Sequence, residues 1–313
     1  YIAFYAKLKL SIEGLLALFP EINNISLWMK DYYDYMDNGD IVEKNLESGG
    51  GIDAIDTIEF RHVSYQYGNS GQYALKDISF LLEKNSKNVI IGLNGAGKST
   101  LLKLLCGVYE PTSGEVLLNG RDMRELCRED VRRLVSVLFQ DYYIFPFTIR
   151  ENVTAFAQDA EMERKMEQLT EKFGLQDKIK KLKKGFDTGI KAEYYDDYTD
   201  MSGGEFQKLA IIRAFCRPGV DAVLLDEPLN NIDIATEDVF YEFLAQTNDK
   251  TILLISHSLK FVPRADKIIY VEAGSIVAEG RHDELLKESV KYRDLYQKYA
   301  EKYLGEERAN VSV

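Results

Sequence analysis

The sequence predicts an α/β fold, and three observations carry that prediction. From Ile55 onward, short apolar strands alternate with helical stretches, the pattern that builds a sheet with helices packed on it. One strand, Val89–Ile91, runs straight into a glycine-rich loop and then a helix-friendly run, Ser99–Cys106. Another, Ala222–Leu225, is continuously apolar and ends in two acids, Asp226 and Glu227. An unbroken apolar run marks a parallel strand buried on both faces.

Taken in order, residues 1–36 read as helix, rich in Leu, Ile and aromatics, with Pro20 as a kink or break. The opening YIAFYAKLKLSIEGLLALFP is interrupted by Lys7, Lys9 and Glu13. It falls short of the roughly 20 apolar residues that a spanning helix needs. The chain as given is therefore not expected to cross a membrane, and its start at Tyr1 leads us to expect coding sequence upstream. Residues 37–54 have the Gly, Asn and Ser content of a linker. Residues 55–305 form the expected main α/β domain. Its strand candidates are Ile58–Val63, Ile78–Leu82, Val89–Ile91, Val116–Leu118, Val135–Leu138, Val223–Asp226, Ile252–Ile255 and Ile268–Val271. A more helical insert spans about residues 141–216. Asp283–Leu304 reads as one or two charged, tyrosine-studded helices, and residues 306–313 as a tail.

Composition narrows the partners. The 313 residues are 45% hydrophobic, enough for a sizeable core, and carry a net charge of -12. So acidic a chain is poorly suited to nucleic acid, whose affinity comes from Lys and Arg neutralising phosphates, and no nucleic-acid partner is expected. The local run Lys178–Lys184 (KIKKLKK) reads as a solvated helix face or loop. Three scattered cysteines, Cys106, Cys127 and Cys216, form no CxxC pair and read as reduced thiols that pack as small hydrophobes.

The chemistry begins at Gly92-Leu93-Asn94-Gly95-Ala96-Gly97-Lys98-Ser99, which matches G-x-x-x-x-G-K-[ST] at every fixed position, with Thr100 following. Glycines let backbone N–H groups curl around a β-phosphate, and the helix start adds partial positive charge. Lys98 reaches phosphate oxygens and the Ser99 hydroxyl ligates Mg²⁺. A chance glycine-rich turn would lack the strand before and the helix after. The pattern alone indicates a P-loop NTPase. Just upstream, Asn85 stands where a left-handed turn is expected, and Asn tolerates that conformation next best to Gly. The two acids complete the set. Asp226 is placed to hold Mg²⁺, directly or through water, and Glu227 to act as general base on the attacking water, a role worth about 10²–10⁴-fold in rate. The carboxyl end of a strand is where α/β sheets put such groups.

Met201-Ser202-Gly203-Gly204-Glu205 resembles the L-S-G-G-Q signature of ATP-binding cassette (ABC) proteins. The helix that follows, Gln207-Lys208-Leu209-Ala210-Ile211-Ile212-Arg213-Ala214, is similar to that family's Q-x-[KR]-[ILV]-A-[IL]-A-R-A. Ser202, Gly203 and Gly204 would present N–H groups and a hydroxyl at a helix start, a second phosphate nest. The resemblance spans about Ile55 to Tyr303. It implies a P-loop ABC ATPase core, a mixed sheet flanked by helices. It also implies an antiparallel β subdomain and an α-helical signature subdomain, preceded by the N-terminal helical segment. Cofactors are ATP and Mg²⁺, and the partner is a second copy whose signature covers the γ-phosphate, arranged head to tail. By the same resemblance, Tyr67 stacks on adenine while Tyr65 is a strand residue pointing elsewhere. Gln140 senses Mg²⁺ and water, Asp233 ends the loop Asn230–Asp233 that reaches the partner, and His257 contacts the γ-phosphate.

Within the family the chain resembles the ATPase part of bacterial peptide and drug exporters. Phe145-Pro146-Phe147-Thr148-Ile149-Arg150-Glu151-Asn152-Val153 is similar to F-x-x-T-I-x-E-N-[IV], and Gly274–Leu285 to G-x-[IV]-x-E-x-G-x-H-x-E-L. That implies an exporter transmembrane domain as partner, residues 1–36 as the end of its last helix, and a place at the cytoplasmic face of the membrane. Departures are Glu193–Asp200 where T-x-[IV]-G-E-x-G is common, Met201 for Leu, and Glu205 for Gln. Glu227, His257, Ser202 and both glycines are present, so a homodimer with two active sites is expected. The alternative is a soluble ABC ATPase of the DNA-repair or translation-factor type, but the long coiled coil of the first and the second cassette of the other are not in this sequence.

Overall fold

The computed structural model describes Met29 and residues 49–68, 71–157, 159–190 and 197–299. The chain divides into two compact units, Tyr1–Gly49 and Gly50–Val313. The expected helix over residues 1–36, most of the linker, the departures Glu193–Asp196 and the tail lie outside the described residues. Among the described residues, no helix is long and apolar enough to cross a membrane.

The second unit is organised by a six-stranded sheet. In chain order its strands are β3 (Lys87–Ile91), β6 (Val135–Leu138), β9 (Ala222–Asp226), β10 (Thr251–Ile255), β11 (Lys267–Glu272) and β12 (Ser275–Gly280). They lie in the order β12-β11-β3-β10-β9-β6. All neighbours are parallel except the antiparallel β11–β12 pair. Both faces are covered, and successive residues feed two separate cores. Val223 and Leu225 enter the cluster that holds the helical part, while Ala222 and Leu224 enter the one beneath the phosphate loop. That double burial is why β9 and β10 read as unbroken apolar runs.

A second, antiparallel sheet is interleaved with its first strand in sequence: β1 (Thr57–Gln66), β2 (Tyr73–Glu83), β4 (Ser113–Leu118) and β5 (Arg121–Asp122), in the order β2-β1-β4-β5. Helix α1 (Lys98–Leu105) follows β3 directly, and α2 (Arg128–Leu134) leads into β6. The helical part contains α3 (Ile149–Thr154), α4 (Ala160–Lys172), α5 (Gln176–Lys181) and α6 (Gly203–Cys216), with the small parallel pair β7 (Gly189–Ile190) and β8 (Tyr198–Thr199). Helix α7 (Ile234–Gln246) links β9 to β10, and α8 (His282–Glu288) is followed by a helix over 290–299.

All eight strand candidates fall within observed strands, and Asn85 takes the left-handed φ of 59° expected of it. Four strands had no counterpart among the candidates. β5, β7 and β8 are two residues each, too short for periodicity to register, and β12 is an edge strand with no continuous apolar face. The KIKKLKK run overlaps α5, whose Ile179 is buried. Burial holds the Cys106 and Cys216 thiols up at about 12, so they are protonated packing groups.

Leu254, fully buried in central β10, tests this two-faced packing. Leu254→Ala is expected to cost about 2–5 kcal/mol. In urea unfolding it should appear as a lowered midpoint with an unchanged m-value.

Candidate active site

The phosphate loop, the two acids, His257 and Gln140 each end or follow a strand of the central sheet. β3 ends at Ile91 and the chain turns through Gly92–Gly97 into α1, with Gly97 as its N-cap at φ 100°. A Cβ on Gly97 would lie 2.7 Å from the Ala74 carbonyl oxygen and 2.7 Å from Leu75 Cδ2, so both its φ and its space demand glycine. The buried Lys98 donates its Nζ to the carbonyls of Gly92 (2.9 Å) and Leu93 (3.0 Å), which holds the ammonium inside the curl of the loop. Burial pushes that ammonium below the ordinary lysine range, and the nearby Glu227 and Asp226 carboxylates oppose the shift.

Tyr67, Ala74, Asn94, Gly95, Gly97, Lys98, Ser99, Thr100, Gln140 and Glu227 line one open cleft of about 380 Å³. Nine of these were expected from the sequence; Ala74 was not. Ala96 sits behind the loop, buried, and its carbonyl accepts from Gly274 N–H at 3.1 Å. Tyr67 is exposed and its hydroxyl lies 2.9 Å from Thr100 Oγ1. Tyr65, a residue of β1, does not line the cleft; it packs edge-on to Tyr67 and stacks on Tyr109 at 5.1 Å. Tyr109 also meets Tyr67 edge-on, so the one tyrosine that lines the cleft is backed by two others.

The acids stand opposite the loop. The Ser99 hydroxyl lies near the Asp226 carboxylate, whose Oδ1 is buried with no partner among the described residues. Burial raises the Asp226 carboxyl above the ordinary range, partly countered by the Ser99 hydroxyl. A hydroxyl and an under-satisfied buried carboxylate oxygen, both hard donors, suit a Mg²⁺ ion. Glu227, one residue on, has a left-handed φ of 49° and its N–H bonds to Ile255 O at 3.0 Å. One carboxylate oxygen, Oε1, lies 2.7 Å from His257 Nε2, and the other accepts from Asn230 Nδ2 at 3.1 Å. The turn after β9 and the turn after β10 thus hold the carboxylate from two sides.

Ser202, Gly203, Gly204 and Asp233 lie outside the lining of that cleft. Ser202 caps α6 with a full capping box: its Oγ accepts from Glu205 N–H at 3.3 Å, and Glu205 Oε2 accepts from Ser202 N–H at 2.7 Å. Asp233 caps α7, accepting from the Thr236 N–H (2.9 Å) and hydroxyl (2.8 Å).

A family model described as ABC transporter matches residues 75–230. The chain belongs to the ABC transporter family. The nisin transport ATP-binding protein of Lactococcus lactis subsp. lactis is 32% identical over 285 residues, covering 90% of this chain and 47% of the relative. The subtilin transport ATP-binding protein of Bacillus subtilis is 32% identical over 290 residues, 90% of this chain and 46% of the relative. The chain therefore spans about half the length of the curated relatives it matches. In fold it is similar to a bacterial Atm1-family ABC exporter solved with ATP bound, at TM-score 0.72 and 24% identity, over 87% of this chain and 48% of that one. These similarities give no support to the repair-type or translation-type alternative.

As a domain of the ABC family, the chain binds ATP. Two residues of this ABC domain gain positioning roles that the sequence did not reveal. Asn230 was read only as the start of a loop toward a partner, yet it fastens Glu227. Buried Gln207, noted as a motif position, donates from Nε2 to Pro228 O (2.6 Å) and accepts from Asn231 N–H (2.9 Å), tying α6 to the loop after Glu227. Both roles depend on contacts between segments far apart or newly turned, and residue type alone does not predict them.

Two outcomes follow for the ABC domain. Gly97→Ala should destabilise the domain by more than about 1 kcal/mol, read as a lowered urea unfolding midpoint, because the new Cβ meets a backbone carbonyl at a left-handed position, and equilibrium binding of a fluorescent ATP analogue should be lost. Asp233 is held down at about 2 by the Thr236 N–H and then the Thr236 hydroxyl. A carboxyl with a depressed folded value contributes stability above its unfolded value of about 3.9, and loses it as pH falls toward the folded one. Asp233→Ala should therefore cost about 1 kcal/mol at pH 7. Its deficit relative to wild type should close as pH is lowered from about 4 toward 2, read by denaturant unfolding at each pH.

Proposed function

We propose that the chain is the ATP-hydrolysing half of an ABC exporter of peptides or amphipathic small molecules, working as a pair of copies that sandwich nucleotide. The observation that carries this is the Glu227 carboxylate, held between His257 and Asn230 on the rim of the phosphate-loop cleft. The cargo class follows the names of the nisin and subtilin transport relatives. In this reading residues 55–305 are the ATPase, residues 1–36 continue from a transmembrane domain, and the domain works at the cytoplasmic face of a membrane.

Tyr67 offers its ring to adenine, and the N–H groups of Gly92–Gly97 with Lys98 receive the phosphates. Ser99 and Asp226 would hold Mg²⁺, which neutralises phosphate charge when bound, with Gln140 on the near wall. Ser202, Gly203 and Gly204 lie outside this cleft's lining and would serve the partner's nucleotide; Asp233 is joined to their helix through Lys208 at 3.5 Å. Closure excludes water other than the one beside Glu227, which strengthens each electrostatic contact. Glu227 accepts a proton as that water's oxygen attacks the γ-phosphorus; the bond to the β-phosphate's bridging oxygen breaks, leaving ADP and phosphate. His257 orients the carboxylate and the water. Loss of the bridging charge lets the copies part. A second cleft of about 780 Å³, lined in part by Val137, Phe139, Val153 and Arg213, lies beside Gln140 and would receive a loop of the transmembrane domain.

Glu227→Gln is expected to bind Mg-ATP and to elute as a stable dimer in size-exclusion chromatography, with turnover lowered by about 10²–10⁴-fold. Wild-type turnover in that variant, measured by phosphate release, would remove Glu227 from the mechanism.

A further inference from the structure

The fifth residue of the signature is an acid in this chain. Placed at the third turn position of α6, Glu205 sits beside the N–H groups that the proposed pairing aims at a partner's γ-phosphate. A bare carboxylate there would repel a nucleotide carrying several negative charges, across a gap that closure makes dry. Glutamine poses no such problem. The chain must therefore compensate, and the structure shows how. Lys178 Nζ reaches across from α5 to Glu205 Oε2 at 2.7 Å, and donates at 2.8 Å to the carbonyl of Asp200, just before the signature.

We infer that Lys178 is a positioning residue for ATP-driven pairing: it neutralises the Glu205 carboxylate and pins the segment from Asp200 to Glu205 in the conformation that receives the partner's nucleotide. This rests on the pairing proposed above. Lys178 belongs to the KIKKLKK run, whose other members have no such partner in the signature, and the run is anchored through buried Ile179. Both side chains of the pair are about one-quarter to one-third exposed, so water screens the pair only in part. The neutralisation is consistent with the state of Glu205 itself. Burial would raise its carboxyl, but the Lys178 hydrogen bond and the Ser202 N–H outweigh that and hold it below the ordinary range, charged and paired at neutral pH. Ser202, Glu205 and Lys178 thus form a closed chain of donors and acceptors that keeps the two glycines' N–H groups free for a phosphate.

The charge role and the bracing role separate in a double-mutant cycle, carried out on the full chain in a Glu227→Gln background. Lys178→Met keeps the aliphatic stem and removes the charge. It should raise the Mg-ATP concentration for half-maximal dimerisation by about tenfold, with a smaller defect at high ionic strength. Fluorescent-nucleotide binding to the single copy should not change, because Lys178 lies outside that cleft. Lys178→Arg should stay within about threefold of the parent, since it keeps charge and donors. Adding Glu205→Gln to Lys178→Met should restore most of the lost dimerisation, and the remaining deficit, at most about threefold against the parent, measures the missing bond to Asp200. If the double variant pairs as poorly as Lys178→Met, neutralisation is overturned. If the parent pairs and Lys178→Met pairs equally well, the inference falls alone. If the parent itself fails to pair with Mg-ATP, the sandwich falls and this inference with it.

Discussion

Four parallel strands of the central sheet, β3, β10, β9 and β6, end at the same edge, and every reactive group in the cleft hangs from one of those ends. β3 leads into the phosphate loop, β9 ends in Asp226 and Glu227, β10 leads to His257, and β6 leads to Gln140. Their relative heights are set by hydrogen-bonded register, with Ile255 opposite Asp226 and Ile90 opposite Ile255. Register in turn is held by burial on both faces, because a one-residue slip would send every side chain of a strand to the wrong core. A site that needs its groups placed to a few tenths of an ångström is thus supported by strands buried on both faces.

Onto that frame the chain places groups that would be unstable elsewhere. Asp226 is a buried carboxylate with an unpartnered oxygen, Lys98 a buried ammonium satisfied only by carbonyls, and Glu227 a left-handed residue. Each carries a cost in desolvation or backbone strain. The costs are of complementary kinds. An under-satisfied anion and an ammonium curled into a loop of N–H groups would suit a metal–phosphate ligand, whose charges match both. Strain at Glu227 is tolerated because its N–H is tied to Ile255 and its carboxylate to His257 and Asn230.

The helical part connects to this centre through few but specific contacts. Gln207 joins α6 to the loop after Glu227, and Gly204 lets that helix approach closely, since a Cβ there would lie 2.8 Å from Asn231 O. On the far side of the same helix start, Lys178 fastens Glu205. The helix that carries the signature is therefore held near its start by the loop that follows Glu227 and by α5. Movement of α6 cannot leave the Glu227 loop unaffected, which gives the two ends of the proposed nucleotide sandwich a direct mechanical link.

Much of this was legible in the sequence because the signals are local. A strand, a glycine loop and a helix follow one another within about twenty residues, and β9 announces both its burial and its acids in a single run of six. Those segments specify their own conformation: Gly97 by its φ, Asn85 by its tolerance of a left-handed turn, the apolar runs by burial on two faces. What only the tertiary structure decided are the pairings between segments distant in the chain. Tyr65 and Tyr109 joining Tyr67, Gln207 reaching Pro228, and Lys178 answering Glu205 depend on how helices and turns are brought together by packing. A side chain's type states which bonds it is able to form; only the packed fold determines which partner lies within three ångströms of it.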